Sequence, residues 1–342
     1  MLHFENDYNK GAHPALLEAL IATNDLGLSG YGTDEYSRRA SEKIRQATMC
    51  PQAEITFLTG GTQTNQVVID ALLASYEGVI AADTGHISVH EAGAIEFSGH
   101  KVLTLPHQDG KIQASAVRQL LETFYADANH EHMVFPGMVY ISHPTEYGTL
   151  YSKEELSDLA TVCKDYQIPL FLDGARLGYG LAARSTDLDL PTIAELTDVF
   201  SIGGTKMGAL MGEAVVFTKS NQPKHFTTIV KQHGALLAKG RLIGIQFDRL
   251  FTENLYLQLG SHAITMAEQL IGILEEKGYR FYLKSPTNQQ FLLLTDSELE
   301  KLEKAGVCYG FWEKYDATYN VIRLATSWST SQEDIDALAQ IL

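Results

Sequence analysis

The sequence predicts an α/β protein with a mostly parallel central sheet, and three observations support that prediction. Two short apolar runs, Leu170–Asp173 and Val199–Gly203, stop abruptly at an acid and at a pair of glycines. Short apolar runs bounded by glycine are typical of buried strands in a parallel sheet. The chain has 342 residues, of which 45% are hydrophobic, so it is long enough for a large domain and a smaller one. We place a large α/β domain at residues 14–250 and a small α+β domain at residues 251–342.

Local signals place the other elements in order along the chain. Pro14 stands near the start of a helix that runs to about Thr23, and Asp34 can cap the helix that runs to about Ala47. Ser152 begins a capping box that opens a helix to about Tyr166. Further strands are expected at residues 54–59, 78–82, 101–105, 138–142, 214–217, 290–295 and 320–324, and further helices at 67–73, at 115–126 and in a long segment that ends near residue 276.

The composition argues against several classes of partner. The formal net charge of −16 disfavours binding to nucleic acid or to an anionic membrane. No apolar run approaches the roughly 20 residues of a membrane helix, and the first residues lack the basic and apolar regions of a signal peptide. The three cysteines, Cys50, Cys163 and Cys308, are widely spaced, which indicates a reducing compartment and no zinc site. We therefore expect a cytoplasmic protein that binds a small molecule and no metal.

A strand, a turn of small residues and a helix follow one another at residues 54–73. The turn contains Gly60, Gly61 and Thr62. Glycine lets the backbone come close to a ligand, and the free N–H groups and the dipole of the following helix attract an anion. A Gly-Gly turn alone is weak evidence, and the G-x-G-x-x-G spacing of a dinucleotide fold is absent. The turn is a candidate phosphate cradle.

Asp173, Arg176 and Lys206 come directly after the two apolar runs. In open α/β sheets ligands bind beyond the carboxyl ends of the strands, so these side chains are expected to face one pocket. Pyridoxal 5′-phosphate (PLP) requires such a set, because its aldehyde forms a Schiff base with a lysine and its ring nitrogen needs an acid partner. Lys206 fits the first role and Asp173 the second, and Arg176 can clamp a substrate carboxylate. Taken singly, each residue could instead be a turn cap or a solvated surface charge.

The segments 172–177 and 201–209, with the sequences Leu-Asp-Gly-Ala-Arg-Leu and Ser-Ile-Gly-Gly-Thr-Lys-Met-Gly-Ala, resemble the threonine aldolase branch of the fold-type-I PLP enzymes. That branch includes the β-eliminating lyases, and the similarity is clearest from about residue 25 to about residue 220. The resemblance implies the PLP-dependent transferase fold of the aspartate aminotransferase superfamily, with seven strands in the large domain. The cofactor-binding set that it implies is Gly60, Gly61, Thr62, His86, Asp173, Arg176, Thr205 and Lys206.

Two histidines fall on positions that have roles in this family. His86 matches a histidine that stacks on the PLP ring, and Glu91 follows it as in the family, whereas His90 is a weaker candidate. Counting back from the strand at 138–142 puts His132 on a histidine proposed to assist catalysis. The segment His130–His132 could instead belong to a metal site or a solvated turn, but no third ligand at helical spacing supports a metal. The candidate catalytic residues are Lys206, His86, Asp173 and His132.

The resemblance also implies contacts made by the chain ends and between subunits. Asn6 replaces the serine of a Ser-Asp-Thr sequence that reaches the active site, so residues 1–13 are expected near it. The candidate substrate-binding residues are Asn6, Tyr31, Arg176 and Arg323. Tyr31 matches a tyrosine that often contacts a neighbouring subunit's site, and Lys231 and Lys239 stand where a family loop reaches a neighbour's phosphate. A flexible loop and surface lysines are the alternatives, and we expect a homo-oligomer, a dimer or a tetramer, with composite sites.

The activity that the resemblance implies is that of a PLP-dependent aldolase. Such an enzyme cleaves a β-hydroxy-α-amino acid of the L-threonine, L-allo-threonine or phenylserine type to glycine and an aldehyde. Where threonine aldolases usually carry Glu-Asn-Thr-His, this chain has Ser-His-Pro-Thr-Glu-Tyr-Gly-Thr at residues 142–149, a departure that concerns the choice of substrate and not the cofactor. A β-eliminating lyase or an aminotransferase shares Asp173 and Lys206 and is the first alternative. A non-catalytic PLP-binding or assembly protein is the second.

Overall fold

The computed structural model describes residues 1–342 and contains thirteen strands. The strands are β1 Leu2–His3, β2 Glu54–Leu58, β3 Glu77–Ala82, β4 Lys101–Leu105, β5 Phe135–Ser142, β6 Leu170–Asp173, β7 Val199–Gly203, β8 Glu213–Phe217, β9 Arg280–Leu283, β10 Gln289–Thr295, β11 Val307–Cys308, β12 Gly310–Lys314 and β13 Tyr319–Ala325.

Fourteen α-helices accompany these strands. They are α1 Pro14–Ala22, α2 Glu35–Ala47, α3 Gly61–Leu72, α4 His86–Val89, α5 Ala94–Phe97, α6 Ala114–Ala126, α7 Lys153–Tyr166, α8 Leu177–Ala182, α9 Leu190–Leu196, α10 Phe226–Gln232, α11 Arg241–Leu250, α12 Leu255–Glu276, α13 Asp296–Lys304 and α14 Gln332–Ile341. Short 3₁₀ turns lie at His130–His132 and Thr205–Met207. No helix is long and apolar enough to cross a membrane.

Seven strands form one large sheet in the order β2-β8-β7-β6-β5-β3-β4. The pairs from β7 to β4 are all parallel, and β8 runs antiparallel to both of its neighbours. The mostly parallel, seven-stranded sheet is therefore confirmed. Every residue of β6 and β7 is buried, which explains why both strands appear in the sequence as uninterrupted apolar runs.

Local signals account for the starts of several helices. The side chain of Asp34 accepts a hydrogen bond of 2.9 Å from the backbone N–H of Ser37 and so caps α2. At α7 the Ser152 hydroxyl accepts from the N–H of Glu155 at 3.1 Å, and the Glu155 carboxylate accepts from the N–H of Ser152 at 2.8 Å. Both predicted caps are confirmed. α3 begins at Gly61, earlier than the sequence predicts, so the Gly60–Thr62 turn forms its N-terminus.

A second sheet, antiparallel, is built from the C-terminal part of the chain in the order β12-β13-β10-β9. The N-terminal segment is attached to the same part, because β1 pairs in parallel with β11, with Leu2 opposite Val307. Phe4, which is almost completely buried, packs in the hydrophobic core of this unit. The first residues of the chain are thus held beside the second sheet before the chain enters the large sheet.

The helix α12 connects the two hydrophobic cores. Its first half, including Leu255 and Ala263, packs in the core of the large sheet. Its second half, including Met266 and Leu274, packs in the core of the second sheet. The predicted domain boundary between residues 250 and 251 stays a prediction, and it falls just before this shared helix.

Candidate active site

The carboxyl ends of β6 and β7 lie in direct backbone contact. A Cβ atom at Gly174 would overlap the carbonyl oxygen of Ser201, and one at Gly203 would overlap that of Ala175. The Ser201 hydroxyl also accepts a hydrogen bond of 2.9 Å from the N–H of Gly174. Only glycine permits this approach. The loops that carry Asp173 and Lys206 are therefore brought together, as the sequence predicts for strand ends in a parallel sheet.

Three donors orient the buried carboxylate of Asp173. Its Oδ2 atom accepts from the Asn65 amide at 2.9 Å and from the Tyr140 hydroxyl at 2.7 Å. Its Oδ1 atom accepts from the backbone N–H of Ala175 at 2.9 Å. Burial and the neighbouring carboxylate of Asp173 hold the pKa of Tyr140 well above its ordinary value, so this hydroxyl stays a donor.

His86 is connected to Asp173 through a short chain of polar side chains. Its Nδ1 atom lies 2.7 Å from Oε1 of Glu91. The Asn65 amide nitrogen donates to the same Glu91 oxygen at 2.8 Å and also to Asp173. The Glu91 side chain is completely buried, whereas the His86 side chain is one-third exposed. The Asn65 amide thus links Asp173 to Glu91, the partner of His86, and His86 lines an open cavity.

Arg176 forms a buried ion pair with Asp7. Its Nε and Nη2 atoms lie 2.7 and 3.0 Å from the two carboxylate oxygens of Asp7. Asn288 donates to the same carboxylate at 3.0 Å. Burial alone would raise the pKa of Asp7, but the cations of Arg176 and Lys206 lower it to about 2. Asp7 is therefore ionised at neutral pH and covers one edge of the Arg176 guanidinium group.

Arg323 lies beside this pair and is also largely buried. It donates to the side chain of Gln289 at 3.0 Å and to the carbonyl oxygen of Glu5 at 2.7 Å. Its Nε atom is buried without a partner. Burial and the cation of Arg176 lower the pKa of Arg323.

The Lys206 side chain lies among charged groups of both signs. Burial and the Arg176 cation lower its pKa, against the opposing effect of nearby carboxylates. One of these carboxylates belongs to Glu213, at the start of β8. Burial raises the pKa of Glu213 to about 8, although the Lys206 cation acts to lower it. A lowered pKa increases the fraction of neutral amine, which is the form that attacks an aldehyde.

A cavity of about 520 Å³ joins these groups. Its charged and polar lining includes His86, Glu146, Arg176, Lys206 and Arg323. Aromatic rings of Tyr8, Tyr147, Phe311 and Trp312 form much of the remaining wall. A narrower space shares Lys206, Arg176, Glu146 and His86 with it and extends to Asp173 and Gly61.

The N-terminus of α3 faces that narrower space. Gly60 is the N-cap residue and provides no side-chain cap. A Cβ atom at Gly60 or Gly61 would meet nothing within 4 Å, so the space above the turn is open. Unpaired N–H groups at a helix N-terminus suit an anion. Together with the amine of Lys206 and the carboxylate of Asp173, this turn makes the cavity chemically suitable for PLP.

Several predicted residues lie elsewhere. His132 is exposed and precedes β5, whereas the cavity lies at the other end of that strand, which spans about 23 Å at roughly 3.3 Å per residue. The structure therefore places His132 outside the cavity of its own chain. Asn6 is engaged in a turn, where its side chain accepts from the N–H of Tyr8 at 2.9 Å. The residue next to it in sequence, Asp7, is the one that reaches Arg176.

Tyr31, Lys231 and Lys239 lie together on an exposed face of the chain, outside the cavity. The N–H of Tyr31 donates to the carbonyl of Ala238 at 3.1 Å. The Lys231 amine lies 5.4 Å from the centre of the Tyr31 ring. The two segments predicted to cross to a neighbouring subunit are therefore parts of one surface.

Thr205 is next to Lys206, and its hydroxyl accepts from the N–H of Gly212 at 3.1 Å.

Sequence reasoning missed four polar or aromatic residues of the site: Asn65, Tyr140, Glu146 and Trp312. Each lies in a segment whose pattern indicates a helix, a strand or a turn, and no spacing distinguishes it from a structural residue. The motif departure at residues 142–149 is the one signal that pointed to Glu146.

Comparisons with known proteins show which family the chain belongs to. A model of the beta-eliminating lyase family matches residues 7–308. The chain is 29% identical to the low specificity L-threonine aldolase of Pseudomonas sp. (strain NCIMB 10558), over 98% of this chain and 95% of that protein. It is 39% identical to a solved structure of Leishmania major threonine aldolase, with a TM-score of 0.96 and coverage of 100% and 98%.

More distant structures share the fold alone. The aspartate aminotransferase of Thermus thermophilus matches with a TM-score of 0.70 at 16% identity, over 100% of this chain and 92% of that one. This confirms the predicted aspartate aminotransferase fold. The chain therefore belongs to the beta-eliminating lyase family of PLP-dependent lyases, in which the threonine aldolases are among its relatives.

Proposed function

We propose that this protein is an aldolase that cleaves β-hydroxy-α-amino acids of the L-threonine, L-allo-threonine or phenylserine type to glycine and an aldehyde. The observation that carries the proposal is the grouping of Lys206, Asp173 and the paired guanidinium groups of Arg176 and Arg323 around one cavity. The similarity to proteins named low specificity L-threonine aldolase supports it.

Lys206 is the proposed attachment point of PLP, through a Schiff base with its amine. Its lowered pKa favours this attachment, because the neutral amine is the nucleophile. Asp173 is the proposed partner of the cofactor's ring nitrogen, and the three donors that hold its carboxylate keep it in one orientation. When bound, PLP supplies a sink for the electron pair released from the broken Cα–Cβ bond.

The proposed phosphate site is the turn Gly60–Thr62 at the N-terminus of α3. The free N–H groups of this turn and the helix dipole favour a dianion. Thr205 and Arg176 complete the proposed cofactor-binding set beside Lys206.

Arg176 and Arg323 are the proposed ligands of the substrate carboxylate. The Nη1 atom of Arg176 is not used by Asp7, and both arginines line the cavity. A hydrogen bond to a charged group contributes about 1.5–3 kcal/mol. Asp7 holds the Arg176 guanidinium group in place and keeps its remaining donors turned to the cavity.

His86 is proposed to lie against the cofactor ring, with a part in proton transfer as the second possible role. Its Nδ1 atom is occupied by Glu91, so Nε2 is the nitrogen that remains for either purpose. The contact with Glu91 also fixes the orientation of the ring, which both roles require.

The product assay tests this function. Purified, PLP-loaded protein is incubated with L-threonine, L-allo-threonine and phenylserine, and glycine and the aldehyde are measured. We expect both products in equal amounts, and none from the Lys206→Ala variant. A β-eliminating lyase, which the family model keeps as a second candidate, would instead release a 2-oxo acid and ammonia. A 2-oxo acid formed only with an amino-group acceptor would indicate an aminotransferase.

We also propose that the protein acts in the cytoplasm as a dimer or tetramer with composite sites. The joint surface of Tyr31, Lys231 and Lys239 supports this, because its exposed cations are not used by the cavity of their own chain. A phosphate dianion at Gly60–Thr62 would gain positive partners if this surface of a second copy lay over it.

For the proposed location in the cytoplasm, the three unpaired cysteines are compatible with a reducing compartment.

A further inference from the structure

One buried carboxyl group in the cavity is not explained by any motif of the sequence. Glu146 lies in the turn after β5 and is 7% exposed. It lines both the large cavity and its narrow extension, together with Arg176 and Lys206. It lies in the segment 142–149, where the sequence of this chain departs from the usual threonine aldolase motif.

Glu146 is held by one of its two oxygens. Its Oε1 atom accepts from the backbone N–H of His86 at 2.9 Å and from the Ser142 hydroxyl at 2.6 Å. Ser142 in turn lies opposite Asp173 in the register of β5 and β6. No other residue donates a hydrogen bond to the Oε2 atom, so Oε2 is the oxygen that remains for a ligand in the cavity. A group anchored through one oxygen and free at the other has the geometry of a proton acceptor.

The surroundings make this carboxylate more basic than one in water. Burial raises the pKa of Glu146, the hydrogen bond from Ser142 and the charge of His86 oppose the rise, and the charge of Asp173 adds to it. The titratable and charged groups around it are His86 on α4, Tyr140 on β5, Tyr151 before α7, Asp173 and Arg176 at the end of β6, and Lys206 after β7. A base works best when its pKa lies near the working pH.

We propose that Glu146 is the catalytic base that takes the β-hydroxyl proton of the substrate, an inference that rests on the proposed aldol cleavage. The O–H electron pair becomes the second bond of the aldehyde C=O, and the proton goes to Oε2 of Glu146. The Cα–Cβ electron pair stays with Cα, and the cofactor that Lys206 and Asp173 would hold there would supply the sink for it. A proton from solvent then completes glycine at Cα, and Glu146 returns its own proton to solvent, so atoms and charge balance.

His86 is the competing base, since its side chain is one-third exposed and also lines the cavity. The two assignments differ in one measurable property. If Glu146 is the base, the turnover rate rises with pH as its carboxyl group loses its proton, and this acid limb disappears when the carboxyl group is removed. If His86 is the base, the limb survives that change.

The test compares Glu146→Gln with wild-type enzyme loaded with PLP. Glutamine keeps the size of the side chain and an oxygen that can accept from His86 and Ser142, but it cannot accept a proton. We expect kcat for cleavage of L-threonine to fall about 10²- to 10⁴-fold and the acid limb to vanish. Glycine in D₂O provides the matched control, because exchange of its Cα hydrogen has no hydroxyl proton to remove. This exchange and the affinity for PLP should be little changed, and Glu146→Asp should restore part of the cleavage.

The outcomes separate the two levels of inference. Wild-type protein that yields no glycine from any of the three substrates overturns the proposed function and the role of Glu146 together. Wild-type cleavage with full activity in Glu146→Gln overturns the role of Glu146 alone. Equal loss of cleavage and of glycine exchange would show that Glu146 only supports the structure, which also overturns the inference. Loss of cleavage with retained exchange supports it.

Discussion

The ion pair between Asp7 and Arg176 should stabilise the fold by a measurable amount. It joins the N-terminal segment to the end of β6, two parts of the chain separated by 169 positions. Asp7 is 1% exposed, and both of its oxygens are bonded to the guanidinium group. The substitution Asp7→Asn removes the charge while it keeps nearly the same side-chain volume.

The magnitude can be worked out from the shifted titration of Asp7. Its pKa falls from 3.8 to about 2, which corresponds to about 2–3 kcal/mol of stability at neutral pH. Removal of one partner from a fully buried pair costs about 3–5 kcal/mol. We expect the lower figure, since the Arg176 side chain is 12% exposed and borders a cavity that water can enter. For 342 residues this lowers Tm by about 3–4 °C.

Thermal unfolding of wild type and Asp7→Asn measures this difference. Because the pKa of Asp7 is depressed in the folded protein, its contribution is fully present above about pH 4 and is lost as the pH falls toward 2. The gap in Tm should therefore be constant between roughly pH 6 and pH 8 and close at acid pH. The matched control is Glu268→Gln, which breaks a two-pronged pair with Arg184 whose side chain is 78% exposed. An exposed pair contributes about 0–1 kcal/mol.

An Asp7→Asn variant whose Tm equals that of the Glu268→Gln control would refute the reasoning. The buried pair would then add no more than a surface pair. The two guanidinium nitrogens that we assign to Asp7 would in that case be free in solution, and the proposed positioning of Arg176 would be wrong as well.

Three further predictions concern the proposed cofactor site. Borohydride reduction of the PLP-loaded protein followed by peptide mapping should place the label on Lys206, and a label on another lysine would contradict the site. Asp173→Asn should retain PLP by absorbance but lose nearly all turnover, because an amide cannot stabilise a protonated ring nitrogen; normal turnover would make Asp173 a turn residue only. Lys231→Ala or Lys239→Ala should weaken retention of PLP in dialysis, with light scattering that shows a dimer or tetramer. A fully active monomer would exclude the composite site.

Sequence reasoning succeeded where the signal is local. Helix caps and glycine-bounded apolar runs are properties of a few adjacent residues, and the caps at Asp34 and Ser152 and the strands β6 and β7 are where the pattern puts them. The short helices α8 and α9 and the strands β9 and β12 are among the elements that were missed. Each has too few residues for a periodic pattern to stand out.

The position of His132 shows where counting along the chain fails. Its distance in sequence from the strand at 138–142 suggested a site residue. β5, however, begins at Phe135 and extends over eight residues. The segment before it therefore lies at the amino end of this strand, and Ser142 lies at the carboxyl end. The residues before a parallel strand lie at the amino ends of the strands, and the residues after it lie at the carboxyl ends. Only the residues at the carboxyl ends reach the ligand.

Residue types next to strand ends, together with the resemblance to the threonine aldolases, predicted the class of fold, a phosphate turn at Gly60–Thr62 and the pair Asp173 and Lys206. The identity of the distant side chains that complete the site came from the tertiary structure alone. Asn65 donates to Asp173 across 108 positions, and Asp7 reaches Arg176 across 169. Such contacts depend on the order of strands in the sheet and on the path of the N-terminal segment, and the free energy of packing that sets both is shared among residues far apart in the chain.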